Sequence, residues 1–460
     1  MARLKILFLT LATALLSVSC SKDYRSSIPA GCQALMTIDL ISLGKDMNIA
    51  DESRQSALKD LLMIDDISTC GIDVTEKLYG FETADGEFGV VAKVGSKSNL
   101  KDWFSGLTDK KVCKSLGEKR GYDFYLIKDA FLASYNGSTL MIMGPVVGGE
   151  TSRKQVQMAK YLDAEDGEGI MQSKIFERIN QLEGSVTLVA RSSALPDKFV
   201  APFTLGAPKG TDASEVLISA EMNINNGMLQ VVGDVFSFNS SVDEALRQAS
   251  ASYRPIKGTH LDKIPATAQF AMAANVVGAD YLKLLRTNEA LRTMLLGINT
   301  AIDIDKMIAS VDGDIIVAAS EAQAERTAIT LVATTTKNDW LDDVAYWKKS
   351  CPAGTTINNV GAADSHQFTM SGSSVNAAFG MSDTNTMYIS SNPDIKSAAD
   401  IAELQKQGMA ADITSAMKGK RMCAVINLDG VTRQKQELSV VTNMLKPLFG
   451  DVHTLIYTLK

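Results

Sequence analysis

Histidine is nearly missing from this chain. There are three in 460 residues, His260, His366 and His453. None has a second histidine or a cysteine at ligand spacing, and neither H-E-x-x-H nor C-x-x-C occurs, so the common zinc motifs are excluded. G-x-S-x-G, the P-loop and G-x-G-x-x-G are absent too, which removes the usual signs of an α/β-hydrolase or a nucleotide-binding protein. S-x-x-K occurs at Ser42–Lys45 and Ser98–Lys101, but with no S-D-N or K-T-G beside it. Two common residue types at one spacing recur by chance. Aromatics are only 6% of the chain, too few to suggest a carbohydrate platform. No long Lys/Arg run is present and the net charge is −7, which disfavours nucleic acid and anionic membrane surfaces as partners.

Long apolar runs are also scarce. The one candidate, Ile6 to Leu16, is broken by Thr10 and Thr13 and is too short to cross about 30 Å of hydrocarbon. It follows Arg3 and Lys5 and leads to Ser17, Val18, Ser19 and Cys20, the layout of a secretion signal. A cysteine at that point is where bacterial lipoproteins are acylated. The lipobox is loose, because Ser17 holds the place usually taken by Leu and Leu16 sits one residue earlier. The reading is a signal peptide over residues 1–19, lipid attachment at Cys20 and a tether over residues 20–27; the alternative is ordinary cleavage that leaves Cys20 free or disulfide-bonded. Each buried CH₂ of an acyl chain contributes about 0.8 kcal/mol, and several chains together anchor stably. Ser21 to Ser27 would reach at most ~25 Å at ~3.6 Å per residue.

The other cysteines, Cys32, Cys70, Cys113, Cys351 and Cys423, are odd in number and unpaired in spacing. They read as small buried hydrophobes, not as a disulfide scaffold.

What the sequence does contain is an internal repeat. Ile28-Pro29-Ala30 opens a short apolar run, and Ile264-Pro265-Ala266 opens another. An amphipathic stretch follows in each, Leu43 to Met63 and Asp280 to Ile298. Paired apolar runs come next, then a helix start at Asn99-Leu100-Lys101-Asp102-Trp103 or Lys337-Asn338-Asp339-Trp340. The two tryptophans keep the spacing of the Ile-Pro-Ala pair to within one residue. Strands are expected at Tyr122–Ile127, Phe131–Tyr135 and Thr139–Met143, matched by Gln367–Met370, Val375–Gly380 and Thr386–Ser390. A hairpin around Asn225-Asn226-Gly227 closes the first copy. The last strand of the second copy, His453–Leu459, either ends a shorter sheet or offers an open edge. The expected fold is α+β: two tandem diverged copies of a module with a mainly antiparallel sheet and helices packed on it. Module 1 spans residues 28–250, a linker 251–263, and module 2 residues 264–460.

Candidate chemistry is thin. Asp163, Glu165, Asp166 and Glu168 form the densest acidic cluster, but without the alternating spacing of a calcium loop; it reads as a solvated loop. Asp303, Asp305, Asp312 and Asp314 read as caps and turn residues. Trp103, Trp340 and Trp347 read as core anchors, and strand methionines such as Met141, Met143 and Met222 as core filling. No catalytic residue, metal or cofactor is expected.

The tandem Ile-Pro-Ala openings, the Asp-Trp helix starts and the lipoprotein signal together resemble an uncharacterised family of Bacteroidetes lipoproteins with a domain of unknown function. That resemblance covers the whole mature chain and implies a cell-envelope location, with the outer membrane as the expected site. The functional expectation is a lipid-anchored, non-enzymatic binding or structural protein. Its partners would be the membrane, reached through the N-terminal lipid, and another envelope protein or ligand. A carrier of an apolar ligand and a glycan or peptide hydrolase are the alternatives.

Overall fold

A computed structural model describes residues 22–46, 69–194, 206–225, 227–299, 302–322, 326–361, 364–370, 376–428 and 452–459. The chain divides into two compact units. Unit 1 comprises the chain up to Ile41 with Ser56–Gln181, and unit 2 comprises Ser42–Gln55 with Leu182–Lys460.

Unit 1 is built on strands β1 (Ala34–Ile38), β2 (Leu78–Glu82), β3 (Phe88–Lys93), β4 (Cys113–Lys119), β5 (Tyr122–Ile127), β6 (Phe131–Tyr135) and β7 (Thr139–Gly144). Every neighbour is antiparallel, in the order β1-β2-β3-β7-β6-β5-β4. The expected strands at Tyr122, Phe131 and Thr139 are present. Edge strand β4 was not expected. It is largely exposed and carries no alternating apolar signal, so nothing in its composition announces it. Lys114, Lys119 and a register shift between Ser115 and Gly117 guard that edge against pairing with another chain.

Helix α1 (Leu40–Asp46) follows β1. It holds only the start of the amphipathic stretch expected over Leu43 to Met63; residues 47–68 lie outside the described part. Helix α2 (Lys97–Asp109) begins where the Ser96 hydroxyl accepts from the Asn99 amide, an ordinary N-cap. Leu100, Phe104 and Leu107 recur at helical spacing and are buried. They pack on Ala92, Tyr125, Ala133, Tyr135 and Leu140, and Phe104 stacks on Tyr125 at 4.3 Å. Strand alternation turns Thr139, Met141 and Met143 to the opposite face. Helices α3 (Thr151–Asp163) and α4 (Lys174–Ile179) and the N-terminal segment belong to that second face. Unit 1 is therefore a sheet with α2 on one side and the N-terminal segment and α3 on the other.

Unit 2 contains strands β8 (Val186–Arg191), β9 (Leu217–Asn225), β10 (Met228–Phe236), β11 (Tyr253–Arg254), β12 (Ala268–Val277), β13 (Val311–Ala322), β14 (Arg326–Thr335), β15 (Thr355–Asn359), β16 (Ser365–Met370), β17 (Asn376–Asp383), β18 (Thr386–Ser390), β19 (Met422–Asn427) and β20 (Thr454–Leu459). From β12 the pairing runs β13-β14-β18-β17-β16-β15 on one side. On the other it runs β19-β20-β10-β9-β8. The β9–β10 hairpin forms at the expected turn. All these pairings are antiparallel except β10 with β20. The possible open edge at the last strand does not exist: β20 lies between β19 and β10.

Helices α5 (Ser240–Ser250), α6 (Gly278–Thr287), α7 (Glu289–Ile298), α8 (Ile304–Ala309), α9 (Val344–Ser350), α10 (Ala398–Glu403) and α11 (Ala411–Met417) complete unit 2. The stretch expected as one helix from Asp280 to Ile298 is two. Asn288 ends α6, and its side chain accepts from the Leu291 amide to start α7. Residues of α6 to α9 share a core with Ala274, Val276, Ile315, Ala333 and Phe379. Ile401 and Met417, from α10 and α11, share a second core with Ala271, Val332, Tyr388 and Val425. Among the described residues no helix is long and apolar enough to cross a membrane.

Candidate functional site

The residues after Cys20 do not behave as a spacer. Asp23 accepts from the Arg25 amide at 3.0 Å and starts a 3₁₀ turn over Tyr24–Ser27. The Arg25 guanidinium grips the same carboxylate at 2.6 Å and lies over the Phe176 ring; the Arg25 hydrogen bond holds Asp23 below the usual carboxylate range. Tyr24 is buried, donates to the Lys77 carbonyl at 2.8 Å and meets Tyr79 edge-on. Ser26, Ser27 and Ile28 are essentially without exposure. Ser27 donates to Thr139 Oγ1, and the Ile28 carbonyl accepts from the Ile170 amide at 2.8 Å.

The acidic cluster is solvent-exposed, as expected, and is also the other half of this clamp. Asp166 Oδ1 accepts from the Asp23 amide at 2.6 Å, and the Gly167 amide donates to Ser26 Oγ at 3.1 Å. Lys22 Nζ donates to the Asp163 carbonyl at 2.8 Å. Asp163 Oδ1 accepts from the Tyr122 hydroxyl, and Glu168 Oε2 accepts from the Glu165 amide. Gly169 makes the close approach possible. Its φ is +64°, and a Cβ there would strike the carbonyl oxygens of Ser26 and Ile28, so only glycine fits without strain.

Beside the clamp lies a cavity of about 660 Å³. Its walls are Ser26 to Gly31, the β2–β3 turn, the end of α3 and the loop that follows. Asp85, Asp163, Glu168, Lys160 and Tyr161 supply its polar lining. A second hollow of about 600 Å³ shares Ala30, Ala164, Glu168 and Gly169 and extends to Gln172 and Ser173. On the same two elements sits a buried ion pair. Lys154 of α3 donates to Glu87 Oε1, at the start of β3, at 2.5 Å. Arg153 stands 3.7 Å from that oxygen. Glu87 Oε2 is buried without a partner, and so is Gln157 Oε1, whose amide nitrogen donates to the Tyr161 hydroxyl. Three carboxylates, Asp85, Asp163 and Glu168, line the cavity against one cation, Lys160, so it suits a donor or positively charged group.

None of the remaining described candidates lines either hollow. Cys20 lies outside the described residues. His260 is buried, with Nε2 at 2.8 Å from Thr334 Oγ1, and burial with nearby Lys263 lowers its pKa to about 4. His366 pairs with Asn359 and His453 with Thr454. Among the described residues no group of three His, Cys, Asp or Glu could hold a metal ion. Cys32, Cys70, Cys113 and Cys423 are buried thiols outside any disulfide and Cys351 is a half-buried one; burial pushes Cys32 and Cys423 up to about 12. Trp340 and Trp347 are buried and stacked at 6.4 Å, and Trp103 is half-buried against the α2 core. Asp303 caps α8 as expected. Asp314 does more than a turn residue: it is buried and accepts from the amides of Lys257, Gly258 and Thr259 and from the Asn275 side chain. Burial alone would raise its pKa, but these four bonds outweigh that and hold it below the usual carboxylate value. Neither the clamp nor the buried Lys154 was foreseen; Tyr24, an aromatic in an otherwise polar stretch, was the one available signal.

The chain is thus a mixed α/β protein with a mostly antiparallel sheet framework and several helices. A family model described as a domain of unknown function (DUF4836) matches residues 24–453, and the chain belongs to that family. No curated protein matches it. Among solved structures, crystal form IV of TP0453 matches at 12% identity and a TM-score of 0.29, covering 46% of this chain and 79% of that one. Crystal form III matches at 10% identity and 0.26, covering 84% and 100%. Scores at this level establish no shared fold.

Proposed function

We propose that the protein is a lipid-anchored component of the cell envelope, attached through Cys20, with a non-enzymatic binding or structural role. The outer membrane is the proposed location, in keeping with the resemblance to Bacteroidetes lipoproteins. The observation that carries this reading is the seating of Lys22 to Ile28. The signal-like segment and Cys20 run directly into residues that unit 1 buries, so an acyl group on Cys20 would hold a folded body and not the end of a loose arm. We further propose that the body is a duplicated module. In support, the order β1-β2-β3-β7-β6-β5-β4 in unit 1 recurs strand for strand as β12-β13-β14-β18-β17-β16-β15 in unit 2.

Metabolic labelling of cells with a clickable fatty acid tests the anchor. Label should enter the wild type and be lost in Cys20→Ala, and crosslinking of the membrane fraction should capture a defined partner. Equal labelling of Cys20→Ala would refute lipid attachment there.

A further inference from the structure

We infer that the surface of unit 1 formed by Lys22, the loop of residues 163–168 and the mouth of the adjacent cavity lies against the bilayer, where it faces headgroups that carry ammonium groups. This deepens the anchoring proposal and rests on it. The argument is one of reach. Two peptide units separate Cys20 from Lys22, so their Cα atoms are at most ~7 Å apart. Lys22 is itself bonded to the carbonyl of Asp163, and Asp23 to Asp166. An acyl group in the membrane therefore brings the end of α3 and its loop to the headgroup layer, with no slack for the body to turn away. Helix α2 lies on the opposite face of the sheet.

The charge of this surface selects its neighbour. Asp85, Asp163, Glu165, Asp166 and Glu168 are exposed, against exposed Lys160 and half-buried Lys22. The excess of carboxylates repels anionic lipid and favours a zwitterionic headgroup whose terminal ammonium can reach the acidic rim.

The test uses the full acylated chain in a Cys351→Ser background, since Cys32, Cys70, Cys113 and Cys423 are buried. A dye is placed at Lys160→Cys on the proposed contact face or at Ser105→Cys on exposed α2. Each protein is reconstituted in phosphatidylethanolamine/phosphatidylcholine vesicles bearing a nitroxide headgroup quencher, and attachment is checked by flotation. Packed layers of roughly 10 Å each separate the two sites, so quenching at Lys160→Cys should be about twofold or more that at Ser105→Cys. Replacing part of the phosphatidylcholine with phosphatidylglycerol at low salt should reduce the Lys160→Cys signal, and raising salt to about 0.5 M should restore it. Equal quenching in floated vesicles overturns the orientation while the anchor stands. Stronger quenching on anionic vesicles overturns the headgroup preference. Failure to float overturns both the anchor and this inference.

Discussion

Replacing Lys154 with methionine should unfold unit 1 at markedly lower denaturant. Lys154 and Glu87 are 4% and 7% exposed as residues, and their charged atoms touch at 2.5 Å. Removing the ammonium leaves a buried carboxylate whose second oxygen already lacks a partner. Breaking such a pair from one side costs about 3–5 kcal/mol. Arg153, 3.7 Å from Glu87 and mostly exposed, can take up part of the charge, but an exposed partner contributes only about 1 kcal/mol. The expected loss for Lys154→Met is therefore about 2–4 kcal/mol. Glu87→Leu combined with Lys154→Met leaves neither charge behind and should recover most of that loss, because paired removal of buried ions is often close to neutral. Urea unfolding gives the free energies, and hydrogen exchange in peptides from α3 and β3 assigns the loss to unit 1. A single-variant loss under about 1 kcal/mol, or a double variant as unstable as the sum of the singles, would refute the buried-pair argument.

Gly169→Ala should release the N-terminal segment, because its side chain would meet the Ser26 and Ile28 carbonyls at a positive φ. A penalty of about 2 kcal/mol predicts roughly 30-fold faster tryptic cleavage after Lys22 and Arg25 under native conditions; unchanged cleavage would rule out the clamp. His260 makes stability depend on pH. The unfolded imidazole takes up a proton below about pH 6.5, whereas the folded one stays neutral down to about 4. The stabilisation is therefore complete above pH 6.5 and is lost as pH falls through that window, by about 2–3 kcal/mol. His260→Gln should flatten the slope of urea midpoints between those pH values, and an unaltered slope would remove His260 as its source.

Much of the framework was legible in the sequence because its signals are local. Short apolar runs bounded by turn residues marked β5, β6 and β7. Asn225 to Gly227 marked a hairpin, and the Asp-Trp starts marked two helical entries. What escaped was set by distant contacts. Edge strands β4 and β15 are mostly polar and exposed, so each is a strand because of the neighbour it pairs with, not because of its own pattern. The stretch from Lys22 to Ser27 reads as a hydrophilic spacer until Ile170, Thr139 and Asp166 are brought beside it. Lys154 reads as one more surface lysine, since its burial depends on Glu87, which lies 67 residues earlier in the chain. The parallel seat of β20 beside β10 depends on where an earlier hairpin ends up, which no period in β20 encodes.

The carboxylate of Asp314 bears on how this chain can be cut into working pieces. The stretch expected as a linker, residues 251–263, is built into unit 2: β11 pairs with β12, Ile256 is buried, and three successive amides close on Asp314. A fragment that begins at Ile264 keeps the buried carboxylate but discards three of its four donors. It also strips β20 of its parallel neighbour. A viable piece of the second half has to start upstream of Leu217, so that the β9–β10 hairpin and the amides of Lys257, Gly258 and Thr259 travel with it.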